Sequence, residues 1–159
     1  MTAPYPPAVR DFDFIHGHWT IANRWLKTRG VGAQYWDVFA STAFCEPRLD
    51  GLVNVEQISC PERGWTGLSL RSFDLEQGEW AIWWISTASG QLQPPVRGCF
   101  HDGGCVLEGP DMDGDRPILA RYIWSDIAPE TARWTQAFSY DGGATWEANW
   151  IMDFTRTAR

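Results

Sequence analysis

The sequence predicts an all-β fold: a single closed, antiparallel, up-and-down barrel of about ten strands with an aromatic interior. Three observations predict it. Short runs of alternating apolar and polar residues fill the chain from His18 to Thr155, broken by Gly-, Asp- and Pro-containing turns, with no long amphipathic helix. Eleven tryptophans, eight phenylalanines and four tyrosines in 159 residues favour strands. Strands this apolar would aggregate along a free edge, and closure removes the edge. A two-sheet sandwich is the alternative, and the run of sequential hairpins favours the meander.

The strands are read as follows. Residues 1–10, with Pro4, Pro6 and Pro7, form an irregular N-terminal arm, and 11–159 form the barrel domain. Phe12, Phe14 and Ile15 are placed as a short plug helix or turn at one barrel end. Strands follow over residues 18–27, 34–45, 52–59, 67–74, 80–86, 96–101, 105–108, 118–124, 132–138 and 145–155. Asp102-Gly103-Gly104 and Asp141-Gly142-Gly143 mark hairpins. The fifth strand, with Trp80, Ile82, Trp83, Trp84 and Ile85, is apolar on both faces. The last strand alternates most cleanly. Trp146, Ala148, Trp150, Met152 and Phe154 share one face, and Glu147, Asn149, Ile151 and Asp153 the other.

Composition narrows the function classes. The formal charge is −7, and the twelve arginines form no basic stripe. Nucleic acid and anionic membrane are therefore unsuited as partners. No stretch of eighteen apolar residues is present, nor a signal-peptide core at the N-terminus. Cys45, Cys60, Cys99 and Cys105 show no Cys-x-x-Cys spacing. The expectation is a cytoplasmic protein with free thiols. There is no nucleophile elbow, dinucleotide glycine motif or Walker loop.

Several segments carry a family resemblance. Asp11-Phe12-Asp13-Phe14-Ile15-His16-Gly17-His18-Trp19 resembles the opening Asp-Phe-Asp-Phe-Leu-x-Gly-x-Trp of a large bacterial family. Arg121 to Ile127, Arg133 to Ser139 and Trp146 to Met152 also look like that family. The family in turn resembles the calycin-like barrels: lipocalins, fatty-acid-binding proteins and nitrobindins. The resemblance implies a ten-stranded barrel with a central pocket and implies no reaction or ligand. The chain departs from the pattern at His16 and His18, and at Leu107-Glu108-Gly109-Pro110-Asp111, where relatives often read Phe-x-Gly-Asp-Asp.

Four groups of residues are candidates for a site. The first is a polar network of Arg121, Gln136, Glu147 and Asn149 on tryptophan-rich strands. An arginine inside a barrel needs a carboxylate, and Glu147 is the candidate partner. Period-two patterning turns Glu147 and Asn149 toward water, whereas the resemblance places them among the matched positions. The second is His16 and His18, spaced two apart as strand ligands would be; zinc would need a third ligand. A haem on a single histidine is the parallel case. Neither cofactor is expected, and hydrogen bonding near a barrel end is the plainer role. The third is the acidic stretch Glu108, Asp111, Asp113 and Asp115, which fails the calcium-loop pattern because Arg116 and Tyr122 fall where glycine and glutamate are required. It is read as a solvated loop over residues 110–117. The fourth is Ser139-Tyr140-Asp141-Gly142-Gly143-Ala144-Thr145-Trp146. It matches the Asp-box hairpin and is read as a turn.

The functional expectation is a barrel that binds a small, largely apolar or aromatic organic molecule. Trp83, Trp84, Trp124, Trp134 and Trp150 are assigned to its walls, and Arg71, Arg121 and Tyr122 to its polar atoms, with Gln136, Glu147 and Asn149 beside them. The rival is an enzyme acting on an aromatic or polyketide-like metabolite. There His16 or His18 would serve as acid or base, and Arg121 or Tyr122 would stabilise an oxyanion. A structural protein with a filled barrel is the third reading, and homodimerisation is compatible with all three.

Overall fold

In the computed structural model, which describes residues 4–158, ten antiparallel strands close on themselves. They are β1 (Gly17–Leu26), β2 (Trp36–Arg48), β3 (Val53–Cys60), β4 (Trp65–Asp74), β5 (Glu79–Ser86), β6 (Val96–His101), β7 (Gly104–Asp113), β8 (Arg116–Ser125), β9 (Thr131–Ser139) and β10 (Glu147–Ala158). Each strand pairs with its neighbour in sequence. The ring shuts where β1 meets β10, with Trp25 opposite Trp150 and Ile21 opposite Phe154. Alternation does what the sequence predicts on β1. Trp19, Ile21 and Asn23 are buried, while His18, Thr20, Ala22 and Arg24 are exposed. Among the described residues no helix is long and apolar enough to cross a membrane.

The N-terminal segment plugs one end. Two short 3-10 turns, Pro7–Arg10 and Asp13–Ile15, drive Val9, Phe12 and Ile15 into the barrel. Phe12 meets Trp80, Phe100 and Trp124 edge-on, with ring centroids 4.9, 4.8 and 6.3 Å away. Irregular backbone entering a core needs donors for its carbonyls. The barrel wall provides donors. The indole of Trp19 donates to the carbonyl of Ile15 (2.8 Å), and that of Trp80 to Ala8 (3.2 Å). Arg156 donates to the carbonyls of Phe14 and His16 (2.6 Å each), with its guanidinium over the Trp19 ring.

Two sequence expectations are corrected. The polar loop over residues 110–117 is mostly strand. β7 runs to Asp113, β8 starts at Arg116, and only Gly114 and Asp115 turn. β6 begins at Val96, so the far part of β7 has lost that neighbour, and Pro110 sits where its missing N–H is tolerated. The single apolar face of the last strand is also interrupted. The β9–β10 register shifts between Ala148 and Trp150, so a β-bulge changes the parity there. Trp150, Met152 and Phe154 point into the core, and Trp146 carries the outer guanidinium of Arg121, 3.8 Å from its ring.

Candidate functional site

The end opposite the plug is built from tryptophan. Trp150 on β10 is the hub. Trp25, Trp134, Trp65 and Trp84 surround it, with ring centroids 4.8, 5.2, 5.8 and 6.0 Å away, mostly edge to face. The Trp150 indole donates to Asn23 Oδ1 (3.0 Å), and Asn23 Nδ2 donates to Ser41 Oγ (2.8 Å), so the buried polar atoms of the hub are satisfied across the β10–β1–β2 seam. Gly67 on β4 makes room for the Trp84 indole. A methyl group there would lie 2.0 Å from the ring tip. Trp25, Trp65 and Trp84 remain half-buried, unlike the fully buried Trp19, Trp80 and Trp124 of the plug end.

Over this end runs a strap, residues 27–35, joining β1 to β2. Lys27 N–H donates to the carbonyl of Tyr35 and closes it as a loop. Arg29 reaches Asp113 through Nη2 (2.7 Å) and Nε (3.2 Å), and the Tyr140 hydroxyl donates to the same carboxylate (2.7 Å). These donors hold the Asp113 carboxyl below its ordinary range, although burial pushes the other way. Gly30 N–H donates to Glu147 (2.7 Å). Strap side chains add little apolar cover: Val31 and Tyr35 are 70% and 78% exposed.

Between the tryptophan cluster and the plug lies a cavity of about 30 Å³, lined by residues that include Glu56, Arg71, Trp84, Tyr122, Trp134, Gln136 and Trp150. That volume holds one or two waters and is far below an ordinary ligand pocket of roughly 300–1,000 Å³. Its polar centre is a buried ion pair across β3 and β4. Arg71 donates from Nη2 to Glu56 Oε1 (2.7 Å) and from Nη1 to Asn54 Oδ1 (3.0 Å), with side-chain exposures of 3% for Arg71 and 1% for Glu56. The guanidinium carbon also lies 5.3 Å from the Phe12 ring and 5.6 Å from the Trp124 ring. Burial works against the arginine's charge, but Glu56 prevails and raises the Arg71 pKa. Three buried atoms of cavity-lining residues have no partner: Glu56 Oε2, Arg71 Nε and Trp124 Nε1.

The sequence-assigned site residues divide. Arg71, Trp84, Tyr122, Trp124, Trp134, Gln136 and Trp150 all line the cavity. Burial, aided by the Asp111 charge, pushes the Tyr122 hydroxyl pKa up, so it stays a neutral donor. Asn149 is buried at the bulge and accepts from Gln136 Nε2 (2.8 Å), one shell behind the cavity, with its own Nδ2 unpartnered. Glu147 is half-buried and anchors the strap. Trp83 and Arg121 depart from their assigned place in the lumen. Trp83 lies beside Arg97 on the outer wall, and Arg121 pairs with Glu108 (2.7 Å), not with Glu147. The reason is parity. Tyr122 and Trp124 of β8 and Trp84 of β5 take the inward positions, so their immediate neighbours face out.

The histidines stand away from the cavity. His18 stacks on Phe44 outside the barrel, with ring centroids 4.4 Å apart. His16 lies by the plug near Arg48 and Asp50, where burial, the main cause, lowers its pKa, as do the charges of Arg71, Arg10 and Arg156 against that of Asp13. Neither is placed to serve a group bound in the lumen. Among the described residues no cluster of three or more His, Cys, Asp or Glu side chains is arranged to hold a metal ion. All four cysteines are free thiols, and burial pushes Cys45 and Cys105 up to about 12.

Sequence reasoning missed Glu56. Val53, Val55 and Gln57 alternate with Asn54, Glu56 and Ile58, and hydrophobicity favours the valine face as the inner one. The structure inverts this, with Asn54 and Glu56 inside. The signal was chemical: a buried Arg71 requires a carboxylate in reach, and Asn54 is its direct cross-strand partner.

No family model matches the chain, and no curated protein is similar to it in sequence. Among solved structures, the chain resembles that of the S-type phycobiliprotein lyase CPES from Guillardia theta. The TM-score is 0.58 at 12% sequence identity, covering 92% of this chain and 90% of that one. A likeness at this identity supports the fold alone: a closed antiparallel barrel of about ten strands with a short N-terminal helical element.

Proposed function

We propose that the barrel binds a small aromatic organic molecule at its tryptophan end, entering beneath the strap. The observation that carries this reading is the asymmetry of the two ends. The plug end is sealed by side chains and anchored carbonyls, whereas the other end presents half-exposed indoles above a cavity. Trp84 is the movable wall. With no side chain at Gly67, outward rotation of the indole leaves a flat slot beside Trp150 and Trp134. A planar ligand filling that slot restores the edge-to-face contacts the indole gives up. The bacterial family that the opening motif and the strand segments resemble is consistent with such a pocket. Nucleic acid and membrane play no part in this reading, and a second copy of the chain is not required by it.

The test is 19F NMR of protein labelled with 5-fluorotryptophan, titrated with planar aromatic compounds, together with native mass spectrometry of protein isolated from its own host. The expected result is saturable shifts at Trp84, Trp134 and Trp150, with Trp83 and Trp146 on the outer wall as unmoved controls. A protein that emerges free of small molecules and whose lumen resonances ignore every compound is a filled, structural barrel. The small cavity fits that outcome, and it would overturn the proposal.

A further inference from the structure

Resting on that reading, we infer that the lumen selects a neutral ligand group carrying a hydrogen-bond donor and an acceptor side by side, such as a carboxamide or lactam edge, over a carboxylate.

The argument begins with charge. Arg71 and Glu56 are nearly inaccessible to water and neutralise each other through the 2.7 Å bond from Nη2 to Oε1. A second carboxylate brought here would meet an arginine already compensated and would lie against the charge of Glu56. It would lose its hydration without gaining a free cation. The unused hydrogen-bonding capacity is of mixed sign. Arg71 Nε and Trp124 Nε1 are donors, and Glu56 Oε2 is an acceptor; all three are buried and without partners. Leaving such atoms unpaired forfeits their hydration with nothing in return. A group that satisfies them must accept from the first two and donate to the third. A carboxamide does both from one planar edge; a carboxylate has no donor, and a hydrocarbon satisfies none.

The placement of these atoms connects them to the aromatic slot. Trp84, Trp134 and Trp150 line the same cavity as Glu56, Arg71 and Trp124. A flat ring held among the first three therefore directs a substituent toward the second three. Phe12 of the plug packs against both Arg71 and Trp124 and closes the far side of the polar group, so the substituent is short.

The experiment compares naphthalene, 2-naphthamide and 2-naphthoate by 19F NMR titration of the labelled protein. The amide is expected to bind at least tenfold more tightly than either of the others. Trp124→Phe, which removes one donor and keeps a ring, is expected to reduce amide affinity while leaving naphthalene unchanged. Glu56→Gln, which frees the charge of Arg71, is expected to shift the preference toward the carboxylate. Should Glu56→Gln fail to fold, Trp124→Phe alone decides. Equal binding of naphthalene and the amide would show that the polar atoms hold water only, overturning this inference and leaving the lumen reading intact. Tighter binding of the carboxylate by wild type would also overturn it. If no compound moves the lumen resonances, both readings fall together.

Discussion

The two ends of the barrel use the same residue type for opposite purposes. At the plug end, Trp19 and Trp80 are 1% exposed and donate to the carbonyls of the N-terminal segment. Trp124 is equally buried against Phe12, but its indole N–H is left over. At the strap end, Trp25, Trp65 and Trp84 are half-buried, and the cover above them is held by polar latches. An apolar plug contributes the burial of Phe12 and Ile15, whereas the latched strap contributes little burial. The difference teaches that apolar burial is concentrated at one end, and the proposed entry lies at the other.

The largest test of this contrast is truncation of the plug. Phe12→Ala removes a ring packed against five aromatic or cationic partners and is expected to cost about 3–5 kcal/mol, read from urea denaturation. Val31→Ala on the strap is expected to cost under about 0.5 kcal/mol. Comparable losses at the two sites would break the comparison.

Gly67→Ala acts in the slot itself. The new methyl group collides with the Trp84 ring, so the indole is expected to turn toward solvent, with a red-shifted emission component absent from a Gly67→Ala/Trp84→Phe double variant. The expected cost is about 1–3 kcal/mol. An unchanged spectrum would mean that Trp84 is not a movable wall.

Releasing the latch is a smaller perturbation. The Arg29–Asp113 pair is partly exposed, so Arg29→Met is expected to cost no more than about 1 kcal/mol after allowance for solvent screening. Its clearer effect is kinetic: faster amide exchange over residues 28–34 and a higher ligand association rate, with plug protection unchanged.

The smallest effect belongs to the hairpin between β9 and β10. Asp141 accepts from Ser139 Oγ (2.8 Å) and Thr145 N–H (2.9 Å), and bonds also to the Thr145 hydroxyl. The Thr145 bonds, then that of Ser139, lower its pKa to about 2. A folded-state pKa below the unfolded value of roughly 3.9 means that the stabilisation is present above about pH 4 and is lost as pH falls toward 2. Asp141→Asn is expected to flatten that part of the pH–stability curve, and Thr145→Ala to raise the Asp141 pKa in an NMR titration. A curve unchanged by Asp141→Asn would remove the turn from the acid response.

Much of this architecture is legible in the sequence. The hairpin turns and the period-two runs are local, and a local backbone preference can be read from neighbouring residues. The plug was legible because Phe12, Phe14 and Ile15 are too apolar to be left in water beside a closed barrel. Arg71 could be assigned to the lumen, and its partner could not, because Glu56 and the valines around it offer two plausible faces.

What only the tertiary structure decided was which face looks inward. On β3 the inner face is Asn54, Glu56 and Ile58 although the outer one carries Val53 and Val55. On β10 the shift between Ala148 and Trp150 separates Trp146 from Trp150. On β5 and β8, Trp83 and Arg121 lie outside although aromatic and charged residues occur on both faces. Period-two alternation by itself determines that a strand has two faces. Closure of the ring, the register with each neighbour and the demand of one buried arginine for one carboxylate determine which face encloses the site.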